Sequence, residues 1–168
     1  MVGPFAVAPL DLEADRSEFA CGVESLDRYF RTQVSQDIRR RVTACFTAVD
    51  ADGRVAGYYT LASASILLTD LAESLAKKLP RYPNVPAVRM GRLAVDQRFK
   101  AKGLGAALLA DALRRSATAG IAAFAFVVDA KDKSATDFYA HHGFRATTGN
   151  PLFLYLPLAT VKDLAKST

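Results

Sequence analysis

The sequence predicts a mixed α/β fold, a sheet with helices packed on it. Three observations carry this reading. Strand-like apolar runs alternate with stretches of helical periodicity, and Asp50-Ala51-Asp52-Gly53 marks a hairpin turn between two of the runs. A third strand then leads into Gly103-Leu104-Gly105 at the head of a long apolar helix.

The elements follow in chain order. Val7–Leu10 is a short apolar run able to open the sheet. Ser25 to Gln36 reads as a helix, with Leu26, Tyr29, Phe30 and Val34 on one face and Asp27, Arg28 and Arg31 on the other. Arg39-Arg40-Arg41 separates it from the strand Thr43–Val49. The hairpin turn joins that strand to Val55–Ala62, because Asp and Gly tolerate positive φ. Leu71 to Leu79 predicts a short helix stopped by Pro80, and Pro80, Pro83 and Pro86 predict an extended loop after it. Val88–Val95 is the next strand. The following helix reaches about Ala119, with Leu104, Leu108 and Ala112 in one apolar row, Asp111, Arg114, Arg115 and Thr118 toward water, and Gly120 as its stop. Ile121–Val128 is unbroken and apolar, as expected of a buried strand. Ser134 is expected to cap a last helix through His142, ended by Gly143, and Phe153–Pro157 is the final strand.

A chain of 168 residues suits one domain, here spanning 1–168, and no repeat or linker divides it. With 51% hydrophobic and 23% charged residues it is too apolar for wholesale disorder. No run approaches the ~18 apolar residues of a membrane span. Met1 to Leu10 lacks a basic region and meets Asp11 and Glu13 early, so it is not read as a secretion signal. Cys21 and Cys45, with His141 and His142, give no CxxC pairing. That argues against a disulfide scaffold or a metal site and fits a reducing cytoplasm. A net charge of +5 is compatible with a polyanionic ligand.

The chemically informative piece runs from Arg92-Leu93-Ala94-Val95 through Lys100-Ala101-Lys102-Gly103-Leu104-Gly105-Ala106. A basic turn rich in glycine at a helix N-terminus offers unpaired N–H groups and a positive dipole end to phosphate. Gly103 and Gly105 would let a diphosphate approach the backbone, and Lys100 and Lys102 would add charge. The pattern is neither a Walker A loop nor a full GxGxxG, since Leu108 stands three past Gly105. Taken alone, it also fits a tight packing turn.

These residues resemble the phosphate loop [Q/R]-x-x-G-x-[G/A] of the GNAT N-acetyltransferases, with Lys100 as the one departure. Phe138-Tyr139-Ala-His-His-Gly143-Phe144 is similar to the family's later FYxxxGF segment. The resemblance implies a mostly antiparallel sheet with a splayed central strand pair and flanking helices. It implies acetyl-CoA as cosubstrate, with Leu93 and Val95 pairing to the pantetheine arm. Lys100, Lys102, Gly103, Leu104, Gly105 and Ala106 would surround the diphosphate, and Ser134 and Phe138 would lie beside the cofactor. Tyr139 would then protonate the departing thiolate.

Phe19-Ala-Cys21-Gly22 through Leu26-Asp27-Arg-Tyr29-Phe30, with Arg81-Tyr-Pro83 and Arg89-Met-Gly-Arg92, resembles the GNAT-type toxins of bacterial toxin–antitoxin operons. That narrower resemblance implies acetylation of the α-amine of aminoacyl-tRNA, a homodimer, and a ribbon-helix-helix antitoxin. Arg39, Arg40, Lys78, Arg81, Arg89 and Arg92 are the candidate tRNA-phosphate contacts, though a solvated charge run is the commoner meaning of such clusters. The alternative reading is a GNAT enzyme acting on a small-molecule or protein amine. No carboxylate stands out as a general base. An α-amine titrating near ~7.7–8.0 needs less help than a lysine near ~10.4, which favours the aminoacyl substrate.

Overall fold

The computed structural model describes residues 5–161, so residues 1–4 and 162–168 of the expected domain lie outside the described part. The strands are β1 (Ala6–Pro9), β2 (Ala44–Val49), β3 (Val55–Leu67), β4 (Asn84–Val95), β5 (Ala125–Asp129), β6 (Arg145–Ala146) and β7 (Phe153–Pro157). The helices are α1 (Glu24–Arg28), α2 (Val34–Arg39), α3 (Glu73–Ala76), α4 (Leu104–Ala117) and α5 (Lys133–His141), with a π-helical segment (Tyr29–Gln33) joining α1 to α2. Among the described residues the sheet has seven strands in the order β1-β2-β3-β4-β5-β7-β6. Pairings β1–β2, β2–β3, β5–β7 and β6–β7 are antiparallel, and β4–β5 is parallel. This is the mixed α/β class that the sequence predicts. None of the described helices is long and apolar enough to cross a membrane.

The chain divides into two compact units, the first running to Ala62 and including Gly91–Ala112, the second comprising Ser63–Met90 and Leu113 onward. In the first, Phe19, Phe30 and Tyr58 form an aromatic nucleus. The Phe30 and Tyr58 rings stack at 4.3 Å, and the Tyr58 hydroxyl donates to the Leu26 carbonyl at 2.8 Å. The helix expected over 25–36 runs instead from Glu24 to Arg39, and its π turn bonds Val34 N–H to the Tyr29 carbonyl. That wider turn brings the adjacent Tyr29 and Phe30 both into the core. Gly57 seats α4: a Cβ there would stand 2.8 Å from Leu108 Cδ1 and 2.9 Å from the Ala94 carbonyl. Asp111, expected to face water, is buried and accepts a 2.6 Å bond from the Tyr59 hydroxyl. Asp27 is also buried and accepts from Cys21 N–H.

In the second unit, Ile66, Leu71, Val85, Ala87, Ala125, Val127 and Tyr155 make a separate core. The loop expected across the prolines ends at Pro83, because β4 starts at Asn84 and includes Pro86. Proline is tolerated there: its carbonyl accepts from Phe124 N–H, and the β5 ladder begins only at Ala87. Ile121 lies outside β5 and is 86% exposed, so the apolar run 121–128 is strand only from Ala125. Asp132 rather than Ser134 caps α5, its carboxylate accepting from Ala135 N–H at 2.9 Å. An aspartate fits this place as well as serine does, and it stands one residue ahead of the first helical one.

Asp96 ties the first unit together. The residue is 1% exposed, and its carboxylate accepts from Ala20 N–H, Arg98 N–H and the Arg98 guanidinium, while its own N–H donates to the Ala56 carbonyl at 2.8 Å. Burial works to raise this carboxyl, but the bonds from Arg98 and Ala20 outweigh it and hold Asp96 below the usual carboxylate range. The stability it contributes is therefore complete above about pH 4 and fades as pH falls through the lowered folded-state value. Asp96→Asn is expected to cost about 2 kcal/mol at neutral pH, with the gap to wild type closing in acid. Urea unfolding midpoints across pH 2–7 measure this, and a gap independent of pH would contradict it.

Candidate functional site

In the first unit, β4 leads into a tight turn (Gln97–Phe99) that the Asp96 side chain caps through Arg98 N–H at 2.8 Å. Beyond it Lys100 is extended, and Ala101 (φ 65°) and Gly103 (φ 76°) are both left-handed. Alanine in that region costs about 1 kcal/mol, and such local strain concentrates at ligand-binding turns. The backbone bond that opens α4 runs from Ala107 N–H to the Gly103 carbonyl at 3.1 Å. The N–H groups of Leu104, Gly105 and Ala106 consequently have no acceptor within the helix. They sit at the positive end of a 14-residue helix, which is an anion site.

Space around this turn is open. A Cβ at Gly103 would meet nothing within 4 Å, and one at Gly105 would meet only Val95 Cγ2 at 3.9 Å. Gly103 is required by its φ, whereas the packing of the protein itself leaves Gly105 free to be larger. The cradle fits a diphosphate. The two lysines differ in what they do. Lys100 Nζ donates to the Cys21 carbonyl at 2.6 Å and braces the turn, whereas Lys102 is exposed beside the Phe99 ring. Leu93 and Val95 are half-buried on one face of β4, with Ala94 in the core on the other. The β4–β5 ladder ends at Met90 and Val128 although β4 continues to Val95, which is how a splayed strand pair is built.

In the second unit, α5 carries Tyr139. Its ring is buried, in contact with Phe138 at 5.2 Å and Phe144 at 5.4 Å. No described residue bonds its hydroxyl, and among the described residues no fully buried side-chain polar atom lacks a partner, so the oxygen is not fully sealed from solvent. Burial pushes the phenol up to about 12, leaving it protonated at neutral pH. Phe138 is half-buried against the His142 ring at 4.9 Å, and Ser134 is exposed in the first turn. Burial, followed by the neighbouring His141, lowers His142 and keeps it neutral, which removes the charge a helix C-terminus would favour.

The basic residues separate into different environments. Arg39 and Arg40 are exposed where α2 ends. The Arg92 guanidinium lies 3.4 Å above the Tyr29 ring, whose hydroxyl donates to Asp37 at 2.8 Å. That bond, then one from Gln33, lowers the Asp37 carboxyl despite partial desolvation, and the charges of Arg92 and Arg40 lower it further. Lys78 and Arg81 are exposed in the second unit, where Arg89 pairs with Asp129. Nothing in a hydropathy pattern signals the Arg89–Asp129 or Arg92–Tyr29 contacts. Their only trace is that Arg89 and Arg92 fall on a strand. Cys21 and Cys45 are both buried, and burial raises both thiols, Cys45 up to about 12.

Residues 21–153 match a family model described as an acetyltransferase (GNAT) domain. The chain is 34% identical over 152 residues to a tRNA-acetylating toxin of Mycobacterium tuberculosis (strain H37Rv), spanning 89% of this chain and 90% of that protein. It is similar to AtaT complexed with acetyl-methionyl-tRNAfMet, with a TM-score of 0.89 and 29% identity over 96% of this chain and 99% of that one. A tyrosine-to-phenylalanine mutant of AtaT, bound to the C-terminus of the antitoxin AtaR and to acetyl-CoA, gives a TM-score of 0.79 at 25% identity, over 96% and 98% of the two chains.

The two glycines of the cradle separate in a stability measurement. Gly103→Ala should lose about 1 kcal/mol to its left-handed backbone. Gly105→Ala should gain a few tenths up to ~1 kcal/mol, since a helical φ and open space await the methyl group. Equal losses in urea unfolding would mean that Gly105, too, is held by packing.

Proposed function

The chain belongs to the GNAT acetyltransferase family, and from that premise we propose that it is an N-acetyltransferase toxin that modifies the α-amine of aminoacyl-tRNA and so blocks translation. The observation that carries this reading is the likeness, over nine-tenths of both chains, to a tRNA-acetylating toxin. The open cradle at the head of α4 supports acetyl-CoA as cosubstrate. In vitro translation with acetyl-CoA, followed by mass analysis of the charged tRNAs, tests it directly. An acetyl group on the aminoacyl moiety is the expected product, and unmodified charged tRNA would refute it.

Acetyl-CoA supplies an acetyl group activated as a thioester. The amides of Leu104, Gly105 and Ala106 bind its diphosphate, with Gly103 shaping the turn and Lys102 adding charge. Lys100 acts from behind by holding the turn to Cys21. The backbone of Leu93 and Val95 pairs with the pantetheine arm, and Ser134 and Phe138 border it. Tyr139 holds a proton at Oη. A phenol near 12 is too weak an acid to protonate a free thiolate outright, a thiol's value being ~8.5. It donates a hydrogen bond as charge grows on sulfur, and its proton passes to sulfur only as the proton released by the attacking amine returns through water to the phenolate, which restores Tyr139. The new N–C bond replaces the C–S bond, and sulfur leaves as thiol.

Arg39, Arg40, Lys78, Arg81, Arg89 and Arg92 serve as phosphate contacts for the tRNA. The surface ion pair of Arg89 with Asp129 is worth at most about 1 kcal/mol, so a phosphate can displace the carboxylate. We assign both compact units to one functional domain, because the family match spans them. An antitoxin partner is supported by the complex of AtaT with the C-terminus of AtaR. A homodimer, a ribbon-helix-helix form of that antitoxin and a cytoplasmic location complete the reading.

Two variants put the roles at risk. Gly105→Glu should fold as wild type yet bind acetyl-CoA far more weakly in calorimetry, since a carboxylate would fill the cradle and repel the diphosphate. Tyr139→Phe should retain acetyl-CoA affinity and lose ~10²–10⁴-fold in turnover. The wild-type rate should rise with pH as the α-amine deprotonates near ~7.7–8.0, with no descending limb from Tyr139 until pH nears its value of about 12. A Phe variant within a few-fold of wild type would make Tyr139 a packing residue.

A further inference from the structure

The chain has six tyrosines. Tyr29, Tyr58, Tyr59, Tyr139 and Tyr155 are buried, and Tyr82 is 70% exposed. A lone surface aromatic needs no explanation, but the setting of this one does. From Ser74 to Val95 the chain carries five cations and no carboxylate. Four of them are exposed, and of these Lys77, Lys78 and Arg81 form no ion pair among the described residues, whereas Arg89 pairs with Asp129. Even a fully extended backbone keeps Lys77, Lys78 and Arg81 within about 18 Å of Tyr82.

The segment that presents the ring is braced. Before it, Lys78 N–H donates to the Leu75 carbonyl and Leu79 N–H to the Ala76 carbonyl, both at 3.1 Å. After it, Leu68 N–H donates to the Pro83 carbonyl at 2.9 Å. Pro80 and Pro83 fix φ on either side. A bare π face on a stiff, cationic turn is the arrangement that binds single-stranded nucleic acid, where bases stack on aromatic rings and cations track the backbone. A rigid turn also avoids the ordering cost a loose loop would incur on binding.

We infer that Tyr82 is a stacking platform for an unpaired base at the single-stranded 3′ end of the charged tRNA, with Lys77, Lys78 and Arg81 on the neighbouring phosphates. The inference rests on aminoacyl-tRNA as the substrate and adds how its unpaired end is gripped. Stacking is tolerant of base identity, so this platform supplies affinity and does not choose among tRNAs.

The test uses the full chain saturated with acetyl-CoA and a fluorescein-labelled 12-nucleotide single-stranded RNA ending in CCA, read by anisotropy, together with steady-state kinetics on charged tRNA. Tyr82→Ala is expected to weaken oligonucleotide binding about tenfold and to raise KM for charged tRNA similarly, with kcat and acetyl-CoA affinity within twofold of wild type. Tyr82→Phe, which keeps the ring, should bind like wild type. Replacing Lys77, Lys78 and Arg81 with Gln should flatten the salt dependence of log Kd by about two units of slope, whereas Tyr82→Ala should leave that slope unchanged. Unchanged affinity in Tyr82→Ala would overturn the platform, as would an equal loss in Tyr82→Phe or a wild-type preference for blunt duplex RNA. Loss of binding to an acidic peptide with RNA affinity intact would assign the patch to a protein partner and overturn it too. A wild type that leaves charged tRNA unacetylated refutes the substrate reading, and the oligonucleotide measurement still decides the platform.

Discussion

A buried carboxylate at the end of β4 is the constraint on which the first unit depends. Asp96 is charged and 1% exposed, which is tolerable only because three backbone or guanidinium groups donate to it. Those donors come from the segment before α1 and from the turn that follows β4, while the Asp96 N–H reaches β3. One side chain thus fixes where the strand ends and the direction in which the chain leaves toward α4. It is also removed from acid–base chemistry by the same bonds. A carboxylate held below its usual range, with its oxygens already occupied, is a poor acceptor for an amine proton.

The turn that Asp96 launches is built largely from main chain. Lys100, the one side chain that departs from the family's pattern, points its ammonium at the Cys21 carbonyl and so stabilises the turn without facing a ligand. Lysine can stand at the place of the family's planar residue because the turn it braces presents backbone N–H groups, which side-chain changes other than to proline leave in place. Tyr139 follows the opposite plan. Its ring is locked among Phe138 and Phe144, and a single oxygen is left to act. Under the proposed function, an α-amine substrate would make this economy workable, since it is partly deprotonated near neutrality.

Much of this was legible in the sequence wherever one residue type has one physical use. Gly103-Leu104-Gly105 after an apolar strand marks the cradle, the Asp–Gly turn marks the hairpin, and an apolar, aromatic run marks β7 to the residue. Where a residue type has two uses, the pattern misled. Asp111 and Asp27 sit in polar positions of their helical repeats, yet each is buried because a donor distant in sequence or at a helix start meets it. Pro86 reads as a breaker but lies in β4 ahead of the β5 ladder. Ile121 reads as core but stands in water, since apolar runs do not announce where a strand begins. The Arg92 stack on Tyr29 depends on a π turn that no periodicity encodes.

The two cysteines carry a practical consequence. Both are sealed in the first unit, and Cys45, with a thiol near 12, would be ionised to about one part in 10⁵ at pH 7. Alkylating reagents and thiol oxidants attack the thiolate, so the folded chain offers them almost nothing. A single cysteine introduced on an exposed loop would therefore take a maleimide dye or spin label selectively, with both native cysteines left in place.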